Sequence, residues 1–173
     1  RLHSPFAGIA EALKVVVSSF AAHAPADTRL VVKEHPLDNG VRDWQQITTD
    51  MAVRFGVEDR IDYLPGGDIV PVARQSRGMV TINSTSGTLG LSMGIPTVGL
   101  GTAIYDIAGV CFQGGLDAFW QEGTPPDQEV YSAFRRVLIE RCLIPGGFFS
   151  KTALDMVVRH AIARFDGNGL PPE

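Results

Sequence analysis

Residues 31–40, VVKEHPLDNG, carry an apolar, β-branched run into Lys33, Glu34 and His35, and stop it at Pro36. A proline restricts the residue before it to extended geometry. Pro36 therefore holds His35 stretched out at the end of a strand, where its imidazole can be aimed into a cleft. A histidine in that position can hydrogen-bond a phosphate oxygen or a leaving group, charged or neutral. It can equally satisfy local backbone groups. Side chains alternate across a strand, so Glu34 points away from its neighbours and is not expected to pair directly with His35.

A second candidate is the stretch Asn83-Ser84-Thr85-Ser86-Gly87. Small hydroxyl residues at a strand-to-helix turn let the backbone approach a ligand, and the amides of the following helix favour an anion, most often a phosphate. The competing role is a helix cap, in which a hydroxyl takes one of the orphan amides. The P-loop pattern is missing, and no G-x-G-x-x-G follows the first strand. A third polar turn, Pro65-Gly66-Gly67-Asp68, also closes a strand. Beyond it, the Gly-rich and aromatic segment from Gly99 to Trp120 is long for an unstructured connection. Within it Tyr105, Asp106, Asp117 and Trp120 could reach a sugar or a partner domain, or Phe119 and Trp120 could begin a helix and enter the core.

The elements that must position these residues alternate. Helical spacing is predicted from Ser4, as N-cap, through Phe20. RLVVKEH then reads as a buried parallel strand. A helix follows over about 41–55, then the strand RIDYL, and a short helix capped by Asp68 and limited by Pro71. The strand GMVTIN, a helix from STSGTLGLSMG closed by Gly94, and the strand IPTVGLG come next. Two more helices finish the chain, the last capped by Ser150, before a frayed tail. This order predicts a Rossmann-like three-layer α/β/α domain with a mostly parallel sheet, as one domain over 1–165 with a flexible tail over 166–173. In such sheets ligands bind beyond the carboxyl ends of the strands, where all three polar turns fall.

Composition narrows the function. The 173 residues suit one ordinary domain, with 45% hydrophobic and 20% charged residues. Fifteen Lys and Arg face nineteen Asp and Glu, a net charge of −4 with no block of one sign, which argues against a nucleic-acid partner. Cys111 and Cys142 lie outside any metal-ligand spacing, and Cys142, in a helical pattern, is expected as a buried thiol. A reducing cytoplasm fits. His3, His23 and His160 have no carboxylate or cysteine at ligand spacing and no D-x-D motif appears, so no metal is expected. No segment approaches the ~18 apolar residues of a membrane span. The opening RLHSPF, without methionine, reads as a domain cut from a longer protein.

VVKEHPLDNG, VTINSTSGTLGLSMGIPTVGLGTAIYDIAG and GGLDAFW, in this order and spacing, resemble the capsule polysaccharide synthesis and export family, the Kps/Lip-type proteins of Gram-negative capsule assembly. The likeness runs from about Ser4 to Phe149. It implies a GT-B glycosyltransferase that transfers Kdo, an eight-carbon acidic sugar, from CMP-Kdo to a phosphatidylglycerol-based acceptor, building the capsule linker. GT-B enzymes have two Rossmann-like halves. The resemblance makes this chain the C-terminal, donor-binding half, with the acceptor half absent from it. It places His35 and Pro36, with Ser84 and Thr85, at the CMP phosphate, flanked by Asn83, Ser86 and Gly87. Lys33, Tyr105 and Asp106 remain for sugar or interdomain contacts, and the catalytic base falls to the other half. CMP-Kdo is then a donor substrate, with no separate cofactor. The expected setting is cytoplasmic, peripheral at the inner face of the inner membrane, with a capsule assembly complex as a further partner. The alternatives are a non-catalytic export scaffold and a GT-B-fold nucleotide-sugar epimerase.

Overall fold

The computed structural model describes residues 4–167; His3 and most of the expected tail, 168–173, lie outside the described residues. The chain divides into two compact units, 1–127 and 128–173.

The first unit is a Rossmann-like α/β fold. In chain order it contains α1 (Ile9–His23), β1 (Leu30–Lys33), α2 (Trp44–Phe55), β2 (Ile61–Leu64), α3 (Ile69–Gln75), β3 (Met79–Thr81), α4 (Ser86–Ser92), β4 (Thr97–Gly99) and α5 (Gly115–Glu122). All the strand pairing is parallel, as crossover helices require. β1 pairs with β2 in the register Val32↔Tyr63 and Lys33↔Leu64, and β3 with β4 in the register Val80↔Val98. Among the described residues these are two separate two-stranded ladders rather than one continuous sheet.

Local signals account for most of the boundaries. Asp43 caps α2 by accepting from Gln46 N at 2.8 Å, and Asp68 caps α3 by accepting from Val70 N at 2.9 Å. Pro71 falls in the first turn of α3, where its missing amide costs no helical bond. Gly56 closes α2 at φ +67°, a left-handed conformation that favours glycine. α1 differs from expectation. It begins at Ile9 behind Gly8, and the Ser4 hydroxyl accepts from Phe6 N in a preceding turn instead of capping the helix.

Helices α1 and α5 pack through a polar knot inside apolar surroundings. Ser19, 7% exposed, donates its hydroxyl to Asp117 at 2.5 Å and accepts from Trp120 Nε1 at 2.8 Å. Phe20 meets the Trp120 ring edge-on at 5.3 Å, and Phe119 is buried. Phe119 and Trp120 therefore pack α5 onto the core, so Trp120 does not reach outward, whereas Asp117 accepts from Ser19 at the rim of the core and keeps an exposed side chain.

On the β1–β2 ladder, Arg29 makes a two-pronged bond to Asp62, both distances 2.8 Å. Its hydrogen bonds hold the Asp62 carboxyl below the usual carboxylate value of 3.8. A depressed folded value means that the stabilisation is complete above the unfolded value and is lost as pH falls through the folded one. The urea midpoint of the wild type should therefore fall more steeply than that of Asp62→Asn between about pH 5 and pH 2. The pair is half-exposed, so the difference will be small.

The second unit contains α6 (Gln128–Arg141) and α7 (Lys151–Phe165). Ser150 caps α7, accepting from Ala153 N at 3.2 Å. Arg164 supplies the orphan carbonyls at the end of α6, donating to Ile139 O at 2.7 Å, Glu140 O at 2.8 Å and Arg141 O at 2.9 Å. Cys142 follows the end of α6 and is exposed, which corrects the expected buried thiol. The buried cysteine is Cys111, whose thiol burial pushes up to about 12, leaving it protonated and unreactive near neutral pH.

Candidate functional site

Both candidate loops sit at carboxyl ends of parallel strands, one on each ladder. At the end of β1, Glu34 N donates to Leu64 O at 3.0 Å, extending the ladder one residue past the strand. Alternation then sets Lys33 and His35 on one face and Glu34 on the other. The Glu34 carboxylate accepts from the Tyr63 hydroxyl, and the Lys33 ammonium donates to Glu34 O at 2.7 Å. Burial, then the bond to Glu34, pushes the Tyr63 phenol well above its ordinary value of 10.0, so it remains a donor.

The His-Pro pair forms the first half of a β-turn. Asp38 N donates to His35 O at 2.9 Å, with Pro36 in the second position that its fixed φ suits. Leu37 N donates to His35 Nδ1 at 3.1 Å. A ring nitrogen that accepts carries no proton, so the neutral imidazole holds its proton on Nε2. His35 and Pro36 are both exposed, and the ring presents an N–H donor outward. Asp38 secures the turn from its far side, accepting from Gly40 N at 2.9 Å and from Trp44 Nε1 at 3.0 Å.

The second loop joins β3 to α4. Ser84 is held at both ends of its backbone. Its N–H donates to Thr81 Oγ1 at 3.2 Å, and its carbonyl accepts from the Tyr105 hydroxyl at 2.6 Å. The Ser84 hydroxyl lies 3.2 Å from both the Ser86 amide and the Ser86 hydroxyl. Ser84 therefore fills the capping role, while Thr85, at the formal N-cap position, makes no side-chain cap bond. The Gly87 and Thr88 amides donate to Ser84 O and Thr85 O, both at 3.0 Å. Several first-turn amides are thus already occupied, and an arriving anion would meet the exposed Thr85 hydroxyl more readily than a row of open N–H groups.

Tyr105 is 2% exposed, its ring under this loop. That corrects the expectation that it reaches a sugar or a partner domain: it is a buried prop for Ser84. Gly87 is glycine for the same reason, since a Cβ there would lie 2.5 Å from Tyr105 Oη. Its neighbour Asp106 is exposed, accepts from Gln113 Nε2 at 3.0 Å, and lines an open cavity of about 440 Å³ with Gly99, Leu100, Gly101 and Thr102, beyond the end of β4.

Ser84, Ser86, Gly87 and Tyr105 thus form one cluster, and Lys33, His35 and Pro36 belong to another. Asn83 and Thr85 are exposed at the head of the Ser84 cluster. Sequence reasoning missed Tyr63, Thr81 and Gln113. Thr81 lay within a recognised strand, three residues before Ser84, but the partners of Tyr63 and Gln113 are set by the fold. Among the described residues no group of three or more His, Cys, Asp or Glu is placed to hold a metal ion, and no helix is long and apolar enough to cross a membrane.

A family model described as "Capsule polysaccharide biosynthesis protein" matches residues 1–149. The capsule polysaccharide modification protein LipB of Neisseria meningitidis, in serogroups A and B alike, is 40% identical over 152 residues, covering 87% of this chain and 36% of the relative. The capsule polysaccharide export protein KpsS of Escherichia coli is 32% identical over 149 residues, covering 86% of this chain and 38% of the relative. The chain therefore spans little more than a third of the relatives it matches. No solved structure matches it.

Proposed function

The chain belongs to the capsule polysaccharide biosynthesis protein family, and from that premise we propose that it supplies the CMP-sugar site of a glycosyltransferase. In this reading it is the donor-binding half of a GT-B enzyme that transfers Kdo from CMP-Kdo, with inversion, to a lipid acceptor of phosphatidylglycerol type. The work takes place at the inner face of the inner membrane, beside a capsule assembly complex. The observation that carries the reading is His35, exposed at the carboxyl end of β1 with its Nδ1 taken by the Leu37 amide, which assigns the ring's donor role to Nε2.

The chemistry follows from charge. The bond between the sugar's anomeric carbon and the phosphate oxygen breaks, and its electron pair stays with CMP. Negative charge then grows on that oxygen, and a positioned N–H donor stabilises it more in the transition state than in the ground state. His35 Nε2 is that donor. The Lys33 ammonium on the same strand face adds positive potential, and the Thr85 hydroxyl is a second donor for the phosphate. The acceptor hydroxyl forms the new bond to the anomeric carbon and gives its proton to a base outside this chain. Asp106, beside the cavity past β4, suits the hydroxyls of the sugar better than its phosphate, because a carboxylate accepts from O–H and repels an anion.

The printed name of the Escherichia coli relative, an export protein, favours a second reading, a non-catalytic scaffold in capsule export. Titration of the full-length protein with CMP, with UDP as control, separates these readings. We expect selective binding of CMP, weakened by about 1–3 kcal/mol in His35→Ala, the cost of one charge-assisted hydrogen bond. A preference for UDP would favour a nucleotide-sugar epimerase, and binding of neither nucleotide would favour the scaffold.

A further inference from the structure

We infer that Tyr63 and Glu34 are positioning residues, which set the direction in which His35 presents its Nε2–H. The inference rests on the donor-site reading and adds to it two residues that never touch the ligand.

Glu34 and Tyr63 lie on the same face of the β1–β2 ladder. Tyr63 pairs in register with Val32, and Val32 and Glu34 share a face because they are two residues apart. The phenol-to-carboxylate bond therefore runs diagonally across the ladder, beyond the last paired residue of β1. His35 stands next in the chain and on the opposite face. A strand end held only by its backbone frays, and one tied by a charge-assisted side-chain bond does not. The same bond keeps the Glu34 carboxylate off the face that His35 and Lys33 occupy. Lys33 follows the same plan, since its ammonium donates to the Glu34 carbonyl and not to the carboxylate.

Restraint on the far side is already present. The turn bond from Asp38 N, the Leu37 amide on Nδ1 and the Trp44 indole on Asp38 fix the chain after His35. Among the described residues the Tyr63–Glu34 bond, the Glu34 N to Leu64 O bond and the Lys33 ammonium on Glu34 O fix the chain before it, and of these the first alone holds the Glu34 side chain. Removing the Tyr63 hydroxyl leaves the ring and the turn in place and frees the approach to His35.

The test compares CMP with cytidine, which lacks the phosphate, on the full-length protein. Tyr63→Phe and Glu34→Ala should each weaken CMP binding roughly three- to tenfold, the equivalent of one ordinary hydrogen bond. Both should leave cytidine binding unchanged. Glu34→Gln keeps an acceptor for the Tyr63 hydroxyl and should restore CMP affinity. Thermal unfolding identifies any variant that fails to fold, and Glu34→Gln against Glu34→Ala then carries the comparison. Equal losses for CMP and cytidine would show a purely structural role and overturn the inference. So would a wild type that prefers CMP through His35 while Tyr63→Phe and Glu34→Ala change nothing. A wild type that binds CMP and cytidine equally, or neither, would instead overturn the donor-site reading beneath it.

Discussion

Replacing Gly87 with alanine is expected to cost about 2–4 kcal/mol of stability, from overpacking together with a weakened buried hydrogen bond. The new methyl group would lie 2.5 Å from Tyr105 Oη and 2.6 Å from Cζ, so the phenol must move. Tyr105 is 2% exposed and its hydroxyl is bonded to Ser84 O at 2.6 Å. Displacing the ring therefore strains the core and leaves a polar atom short of its partner at once. Urea unfolding of the single variants and of Gly87→Ala/Tyr105→Leu checks the cause. If the tyrosine ring is the obstacle, the double variant loses clearly less than the sum of the two single losses. Additive losses would mean that Gly87 is needed for some other reason.

Phe20→Ala is expected to be more damaging, by about 3–5 kcal/mol, the usual cost of deleting a fully buried aromatic ring. Phe20 is 1% exposed on α1, and two groups close around it. The Trp120 ring meets it edge-on at 5.3 Å and 77°. The Arg60 guanidinium sits over the ring, 4.5 Å from its centroid, while donating to Pro25 O at 2.7 Å. The cavity left by alanine would thus loosen the packing of α5 on α1 and remove a cation–π contact. Phe20→Leu refills part of the volume but has no π face for Arg60. It should lose roughly half as much, by the same transfer and cavity argument. The fall in thermal midpoint for the two variants is the measurement, and equal falls would mean that volume counts for nothing at this position.

Residues near in sequence made part of this protein legible without its fold. The alternation of helix and strand was readable because apolar periodicity and strand length are properties of ten to fifteen consecutive residues. The Asp68 and Ser150 caps were readable because a cap and its amide lie two or three residues apart. Pro36 acts on His35 through a single peptide bond, so an extended histidine at a strand end could be inferred as well.

Only the tertiary structure decided what the site residues touch. Tyr105 looked like a surface aromatic in a loop, yet its partner is the Ser84 carbonyl, twenty-one residues away in sequence. Asp117 and Trp120 looked available to a ligand, yet both bond to Ser19, about a hundred residues before them. Glu34 was correctly excluded as a partner of His35 by strand alternation, but alternation does not say that Tyr63 waits on the other face. That follows from the parallel register of β1 on β2. Cys142 failed for a related reason: helical periodicity places a residue on a stripe, but α6 ends one residue earlier and the thiol turns to solvent. Periodicity records which side of an element is apolar. The identity of the group facing it depends on register and packing between distant segments, and a local pattern does not encode these.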